Sequence, residues 1–289
     1  DGEMKALVFG KTGQVARELQ RLLPDARFLG RDQADLADPA ACAAAIADAR
    51  ADLVINAAAW TAVDKAETDE AAATVVNGDA PAAMARAAAD RGLPFLHLST
   101  DYVFDGTGDQ PFAPDHPTGP LNAYGRSKLA GELGIRAAGG NHLILRTSWV
   151  FSAHGANFVK TMLRLGATRD SLTVVADQIG GPTPASAIAL ALIQAARALC
   201  DGATGGTHHF AGRPATSWAD FARAIMTTAP LPCQIRDIPS TDYPVPAARP
   251  LNSRLDCASL HAAFGIDQPD WTETLAVVVR DILHRDRTE

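Results

Sequence analysis

Short apolar runs alternate with longer amphipathic ones through the first half of the chain. The runs at 5–9 (KALVF), 26–29 (ARFL), 52–56 (DLVIN), 94–99 (PFLHLS) and 142–147 (HLILRT) are brief and rich in Val, Ile, Leu or Phe, and each predicts a strand. Between them, near 14–23, 39–49, 69–91 and 122–137, alanine-rich segments carry apolar positions at helical spacing. Strand–helix alternation of this kind predicts a parallel sheet covered by helices on both faces.

Beyond residue 150 the pattern loosens. A stretch SLTVVADQIGGPTP (171–184) is followed by a helical pattern near 185–200, a short run THHFAG (207–212) and a second helical pattern near 217–228. Pro230, Pro232, Pro239, Pro244, Pro246 and Pro250 then interrupt the chain repeatedly, which predicts a smaller lobe laid over the mouth of the sheet. Neither an internal repeat nor a low-complexity linker divides the chain. Asp1, Gly2 and Glu3 stand ahead of Met4 and are left out of the fold reading.

Composition narrows the function classes. With 289 residues, 47% hydrophobic and 20% charged, the chain can bury a full core, which excludes disordered and collagen-like classes. The net charge of −7 and the lack of any lysine or arginine run point away from nucleic acid and from anionic membranes, toward a small-molecule substrate. Cys42, Cys200, Cys233 and Cys257 are scattered without CxxC spacing, arguing against a zinc site or a disulfide framework and for a reducing compartment. With no apolar run of about eighteen residues and no signal-peptide pattern, a cytoplasmic protein is expected.

The chemistry gathers at strand ends. Directly after the first strand, GKTGQVARELQ places Gly10 and Gly13, with Ala16 at the third position of a GxxGxxG pattern; Thr12, Gln14 and Val15 complete the turn. Glycines there allow a tight turn and let N–H groups at a helix N-terminus approach a pyrophosphate, although a plain glycine turn is the alternative. At the end of the second strand the acidic residue that usually meets a ribose is replaced by Gly30 and Arg31, which favours a 2′-phosphate and hence NADPH, with Asp32 keeping NADH open. After the third strand, Asn56, Ala57, Ala58 and Ala59 would let a cofactor pass close to the backbone. The fourth strand ends in STDYVFDG, so Ser99, Thr100 and Asp101 are expected to point into the same crevice, unless they merely cap the turn. Tyr124 and Lys128 share a helical face at i and i+4. The Lys128 charge is expected to bring the phenol below its ordinary pKa of about 10; a solvated surface pair is the alternative.

Taken in order, FGKTGQV, VINAAAWTAVDKAE, LSTDYVFDG, YGRSKLAGE, RTSWVFSAHGANFVKTML, GGPT and RPLNSRLD resemble the pattern of the extended short-chain dehydrogenase/reductases. Within that superfamily they are most similar to the dTDP-4-dehydrorhamnose reductases, over nearly the whole chain. The resemblance implies an α/β fold: a Rossmann-like doubly wound parallel sheet with a smaller C-terminal substrate-binding lobe. Residues 4–150 would form the NAD(P)-binding domain and 151–289 mainly the substrate lobe, with some segments returning to the sheet. It implies reduction of a 4-keto dTDP-sugar by NADPH, with Thr100, Tyr124 and Lys128 catalytic and Tyr124, Lys128 and Ser99 also near the cofactor. Asp35 and Leu36 would contact the adenine, while Asp101, Trp149, Asn157 and Arg249 would meet the substrate. Some relatives hold Mg²⁺ at a dimer contact through an acidic residue in the first helix, where Glu18 stands here. One carboxylate does not make a metal site, so no metal residue is assigned, and a homodimer stays open. Two other readings remain: a nucleotide-sugar epimerase or dehydratase, the latter needing a second acidic residue that STDYVF lacks, and a non-catalytic regulatory subunit related to that of methionine adenosyltransferase.

Overall fold

The computed structural model describes residues 4–285. Six parallel strands form the central sheet. They are β1 (Ala6–Phe9), β2 (Arg27–Leu29), β3 (Leu53–Asn56), β4 (Phe95–Thr100), β5 (His142–Thr147) and a last strand, Gly206–His209. Their spatial order is β2-β1-β3-β4-β5 followed by 206–209, every neighbour parallel. The chain leaves β1 for β2 on one side and returns to β3 on the other, so the order reverses between β1 and β3. A crevice opens at the carboxyl ends of those strands.

Both faces of the sheet are covered, as the continuous apolar character of its strands requires. Helix α1 (Gln14–Leu22) and the helix Ala185–Cys200 pack on one face with Val8, Ile55 and Leu145. On the other face, α2 (Pro39–Ala47), α5 (Ala80–Asp90) and α6 (Ala123–Ala138) enclose Leu7, Phe9, Val54 and Phe95; α3 (Val63–Ala66) and α4 (Glu70–Thr74) precede α5. These side chains are fully or almost fully buried, each contributing about 1.5–3 kcal/mol relative to exposure. Thus two segments beyond residue 150 return to the sheet. The helices Phe158–Gly166, Trp218–Thr228 and Trp271–Arg285 build a separate core around Phe151, Leu163, Phe221 and Leu275, beside the parallel strands Ser171–Val175 and Gln234–Ile238.

The expected strands lie within one residue of their positions. The helix expected over 69–91 is helical from Glu70 to Asp90, with a π-helical turn at Val75–Asp79 between α4 and α5. Pro81 has no N–H for the Asn77 carbonyl four residues back, which breaks the ladder there. The proline-rich stretch hides the strand Gln234–Ile238, and the helices Phe158–Gly166, Ala258–Phe264 and Trp271–Arg285 were not foreseen.

Helix α6 begins where the Asn122 side chain accepts from Gly125 N at 2.8 Å and ends at Gly139, whose φ is 75°. It approaches its neighbours closely because glycines face them. A Cβ on Gly125 would sit 2.3 Å from the Tyr102 carbonyl oxygen, and one on Gly131 2.2 Å from that of Asn77. Gly131→Ala should therefore push α6 away from the π turn and cost about 2 kcal/mol in urea unfolding. Unchanged stability would show that the helix gives way without strain.

Candidate active site

The glycine turn after β1 has the geometry a dinucleotide needs. Gly10 has φ +113°, and a Cβ on it would lie 3.1 Å from the carbonyl carbon and oxygen of Ala57, so only glycine fits between the ends of β1 and β3. Gly13 caps α1 with extended backbone and no side-chain hydrogen bond, leaving the first N–H groups of the helix to an anion. Ala16 is fully buried, as the third small position requires. The turn is braced from outside, Gln20 donating to the Lys11 carbonyl at 2.6 Å and Arg17 to that of Thr12 at 3.1 Å. Arg31 is exposed at the end of β2. Asp35 accepts from Ala37 N at 2.9 Å, and Leu36 is buried in the core beside Leu29. These residues fit a bound dinucleotide: a turn with no room for a side chain, an uncapped helix N-terminus and a cation at the ribose end.

Thr100 and Asp101, at the end of β4, meet the N-terminal turn of α6. Thr100 Oγ1 accepts from Tyr102 N at 3.1 Å and donates to Asp101 Oδ1 at 3.2 Å, and it stands beside the Tyr124 phenol. The capping alternative is met by Thr100, the N-cap of the short turn 101–103. Asp101 is buried beside Ser253, and burial raises its carboxyl to about 6. Tyr102 stands edge-on to Tyr124 with ring centres 5.8 Å apart, its phenol pushed up by burial and by Asp101.

The Tyr124–Lys128 pair differs from expectation in its electrostatics. Burial first, then the nearby Asp101 charge, raise the Tyr124 phenol to about 12, with the Thr100 hydroxyl opposing them. Lys128 is not among these causes; its Nζ donates to the Leu98 carbonyl at 2.6 Å, and desolvation lowers it to about 8. Spacing places the two on one face, but burial sets their charges.

Other expected contacts are directed elsewhere. Ser99 does not face the crevice: its hydroxyl donates to Glu132 Oε1 at 2.6 Å, beneath α6. Asn157 caps the helix Phe158–Gly166 by accepting from Lys160 N, and its amide donates to Ser152 O at 2.8 Å and to Gln14 Oε1 at 3.2 Å. Arg249 forms a two-pronged pair with Asp64, at 2.6 and 3.1 Å, so the strap around it is fastened to α3. Trp149 has φ +49°, an uncommon conformation held by a face-to-face stack on Trp218 at 3.6 Å and by its approach to Gly180. Glu18 is engaged by His154 at 3.1 Å and Arg21 at 2.9 Å, and no group of three metal-ligand side chains occurs among the described residues. Asp64, Tyr102, Glu132, Trp218 and Ser253 carry no role in the expectations above, although all but Trp218 lie inside the quoted motifs.

A family model described as the RmlD substrate binding domain matches residues 4–284. The dTDP-4-dehydrorhamnose reductase of Burkholderia thailandensis is 48% identical, the alignment covering 97% of this chain and 99% of that one. Among solved structures, the dTDP-4-dehydrorhamnose reductase of Clostridium acetobutylicum superposes with a TM-score of 0.90 at 33% identity, over 97% of this chain and 100% of that one. That of Bacillus anthracis, in complex with NADP, does so with 0.89 at 30% over the same shares.

The buried Asp101 carboxyl yields a stability prediction. Its folded pKa lies above the unfolded value of 3.8, so the fold carries no penalty below that value and loses stability as pH rises through about 6. Asp101→Asn should therefore stabilise the protein at pH 8 by about 2–3 kcal/mol, with little effect at pH 4. Urea unfolding at the two pH values checks this, and an equal change at both would refute it.

Proposed function

The chain belongs to the family of dTDP-4-dehydrorhamnose reductases, and from that premise we propose that its site reduces the 4-keto group of dTDP-4-dehydro-L-rhamnose to dTDP-L-rhamnose, the last step in making that sugar nucleotide. The observation that carries the reading is the meeting of Thr100, Tyr124 and Lys128 at the end of β4, on the crevice edge that also holds the glycine turn. NADPH, when bound, supplies the hydride to the sugar C4.

The protein's own residues handle the charge that this leaves on the sugar oxygen. A phenol at about 12 keeps its proton at neutral pH, the state a general acid needs before reduction. Tyr124 gives that proton as the oxygen becomes basic, and the Thr100 hydroxyl steadies the same oxygen. Lys128 holds a positive charge one helical turn away. Gly10, Gly13 and the first turn of α1 cradle the cofactor's phosphates, and Arg31 pairs with its 2′-phosphate. The lobe beyond residue 150, with Trp149 lining the pocket and Asp101 facing the sugar, holds the nucleotide-sugar. Asn157 and Arg249 support that lobe by fastening it to Gln14 and Asp64.

A dehydratase is disfavoured because Asp101 is followed by Tyr102 rather than by a second acid. A purely regulatory role is disfavoured because the catalytic trio is intact. Four free cysteines agree with a reducing cytoplasm, and no described helix is long and apolar enough to cross a membrane. A homodimer is part of the same reading, tested by sedimentation.

Incubation with dTDP-4-dehydro-L-rhamnose should consume NADPH, followed by its absorbance; no consumption would defeat the assignment. Tyr124→Phe removes the proton donor with little change of shape and should lower turnover about 10²–10⁴-fold while NADPH still binds. Arg31→Ala should raise the KM for NADPH by roughly one to two decades and leave NADH almost unchanged. Equal losses with both cofactors would remove Arg31 from its role.

A further inference from the structure

Three consecutive residues at the end of β4 meet three successive turns of α6. Thr100 stands beside the Tyr124 phenol, the Leu98 carbonyl accepts from Lys128 Nζ at 2.6 Å, and the Ser99 hydroxyl donates to Glu132 Oε1 at 2.6 Å. Tyr124, Lys128 and Glu132 are spaced by four and so lie on one helical stripe. Glu132 is fully buried, and four donors saturate it. Ser99 and Arg146 Nε, at 2.8 Å, serve one oxygen; Arg146 Nη2 at 2.7 Å and Arg136 at 2.9 Å serve the other. Arg146 is itself immobilised by the Pro114 carbonyl at 2.9 Å and by His209 at 3.2 Å.

We propose that Glu132 is the positioning residue of the Tyr124–Lys128 pair. Its carboxylate, clamped by Arg146 and Ser99, fixes the third turn of α6 on β4 and sets a negative charge one turn from the Lys128 ammonium. A buried ion pair is a weak source of stability, since apolar side chains of similar volume fill such a space as well. What apolar side chains cannot supply is a fixed hydrogen-bonded register and a charge. Both act on Lys128. Tyr124 and Glu132 lie one turn to either side of it on α6 and His97 faces it from β4, while Arg146 on β5 meets the Glu132 carboxylate and the Asp101 charge acts on Tyr124. His97 is kept neutral by burial and by Lys128 itself, and its partner Asn56 on β3 is uncharged. Desolvation drives Lys128 down to about 8, and Glu132 opposes that fall.

The inference rests on the assignment of Tyr124 and Lys128 above. The chain has five lysines, so ¹³Cε-lysine NMR of the cofactor-free protein, with Lys128→Met to identify the signal, can follow Lys128 directly. In Glu132→Gln the Lys128 midpoint should fall by about one pH unit, and the alkaline limb of kcat/KM for NADPH should move down with it. Glu132→Asp, which keeps the charge, should bring both back toward the wild-type values. Should Glu132→Gln fail to fold with Arg146 unpaired, the double variant Glu132→Gln/Arg146→Met is read in its place. An unshifted Lys128 midpoint in the folded Gln variant overturns the inference, whatever its thermal stability. Retained turnover in Tyr124→Phe would defeat the underlying assignment without moving that midpoint, so the two failures are separable.

Discussion

The attachment of α6 to the end of β4 is the constraint on which the site depends. A parallel strand delivers its last residues to the crevice, but it cannot choose which turn of a covering helix faces them. Here the choice is made by polar contacts within a largely apolar layer: Lys128 on the Leu98 carbonyl and Glu132 on Ser99. Close approach is permitted by Gly125 and Gly131, which let carbonyls of neighbouring turns reach the helix backbone. Polar contacts supply register and glycines supply proximity. Tyr124 meets Thr100 only because both operate together.

Much of this architecture was legible because it follows from local pattern. Alternation of short apolar runs with amphipathic ones is enough to announce a parallel sheet, and HLILRT and the helix Ala185–Cys200 fall where the pattern places them. The glycine turn was legible because Gly10 and Gly13 mark a backbone requirement that few other residues meet. What remained hidden was set by contacts distant in sequence. The π turn within the helix over 69–91 is where Asn77 bonds Ser127 of α6, and Gln234–Ile238 forms a strand only because Ser171–Val175 lies beside it. A signal for Glu132 did exist: it continues the spacing of Tyr124 and Lys128, and Arg146 is a charge inside an otherwise apolar buried strand, which calls for a partner.

The electrostatics show where spacing stops being informative. Placing a lysine four residues after a tyrosine suggests that the cation acidifies the phenol, and in water the argument would end there. In the fold Lys128 is buried and Tyr124 partly so, and desolvation favours the neutral form of each. The phenol rises to about 12 and the ammonium falls to about 8, so the pair is poised as a protonated donor beside a cation that its surroundings barely sustain. For a reductase this direction is useful, because the proton must be present before the hydride arrives.

The proline-rich segment takes its meaning from the same joint. Residues 247–249 are held on one side by Asp64, which accepts from Ala247 N and from both arms of Arg249, and on the other by Asn122, whose amide donates to the Ala248 carbonyl at 2.8 Å. Asn122 is also the N-cap of α6, one and a half turns ahead of Lys128. The strap at 247–249, helix α3 and the start of α6 are therefore joined by two side chains. Proline limits the conformations open to the strap before these contacts form, so fewer hydrogen bonds suffice to hold it. Arg249 thus acts on the crevice through Asp64, and that ion pair and Asn122 together tie residues 247–249 to α3 and to the first turn of α6.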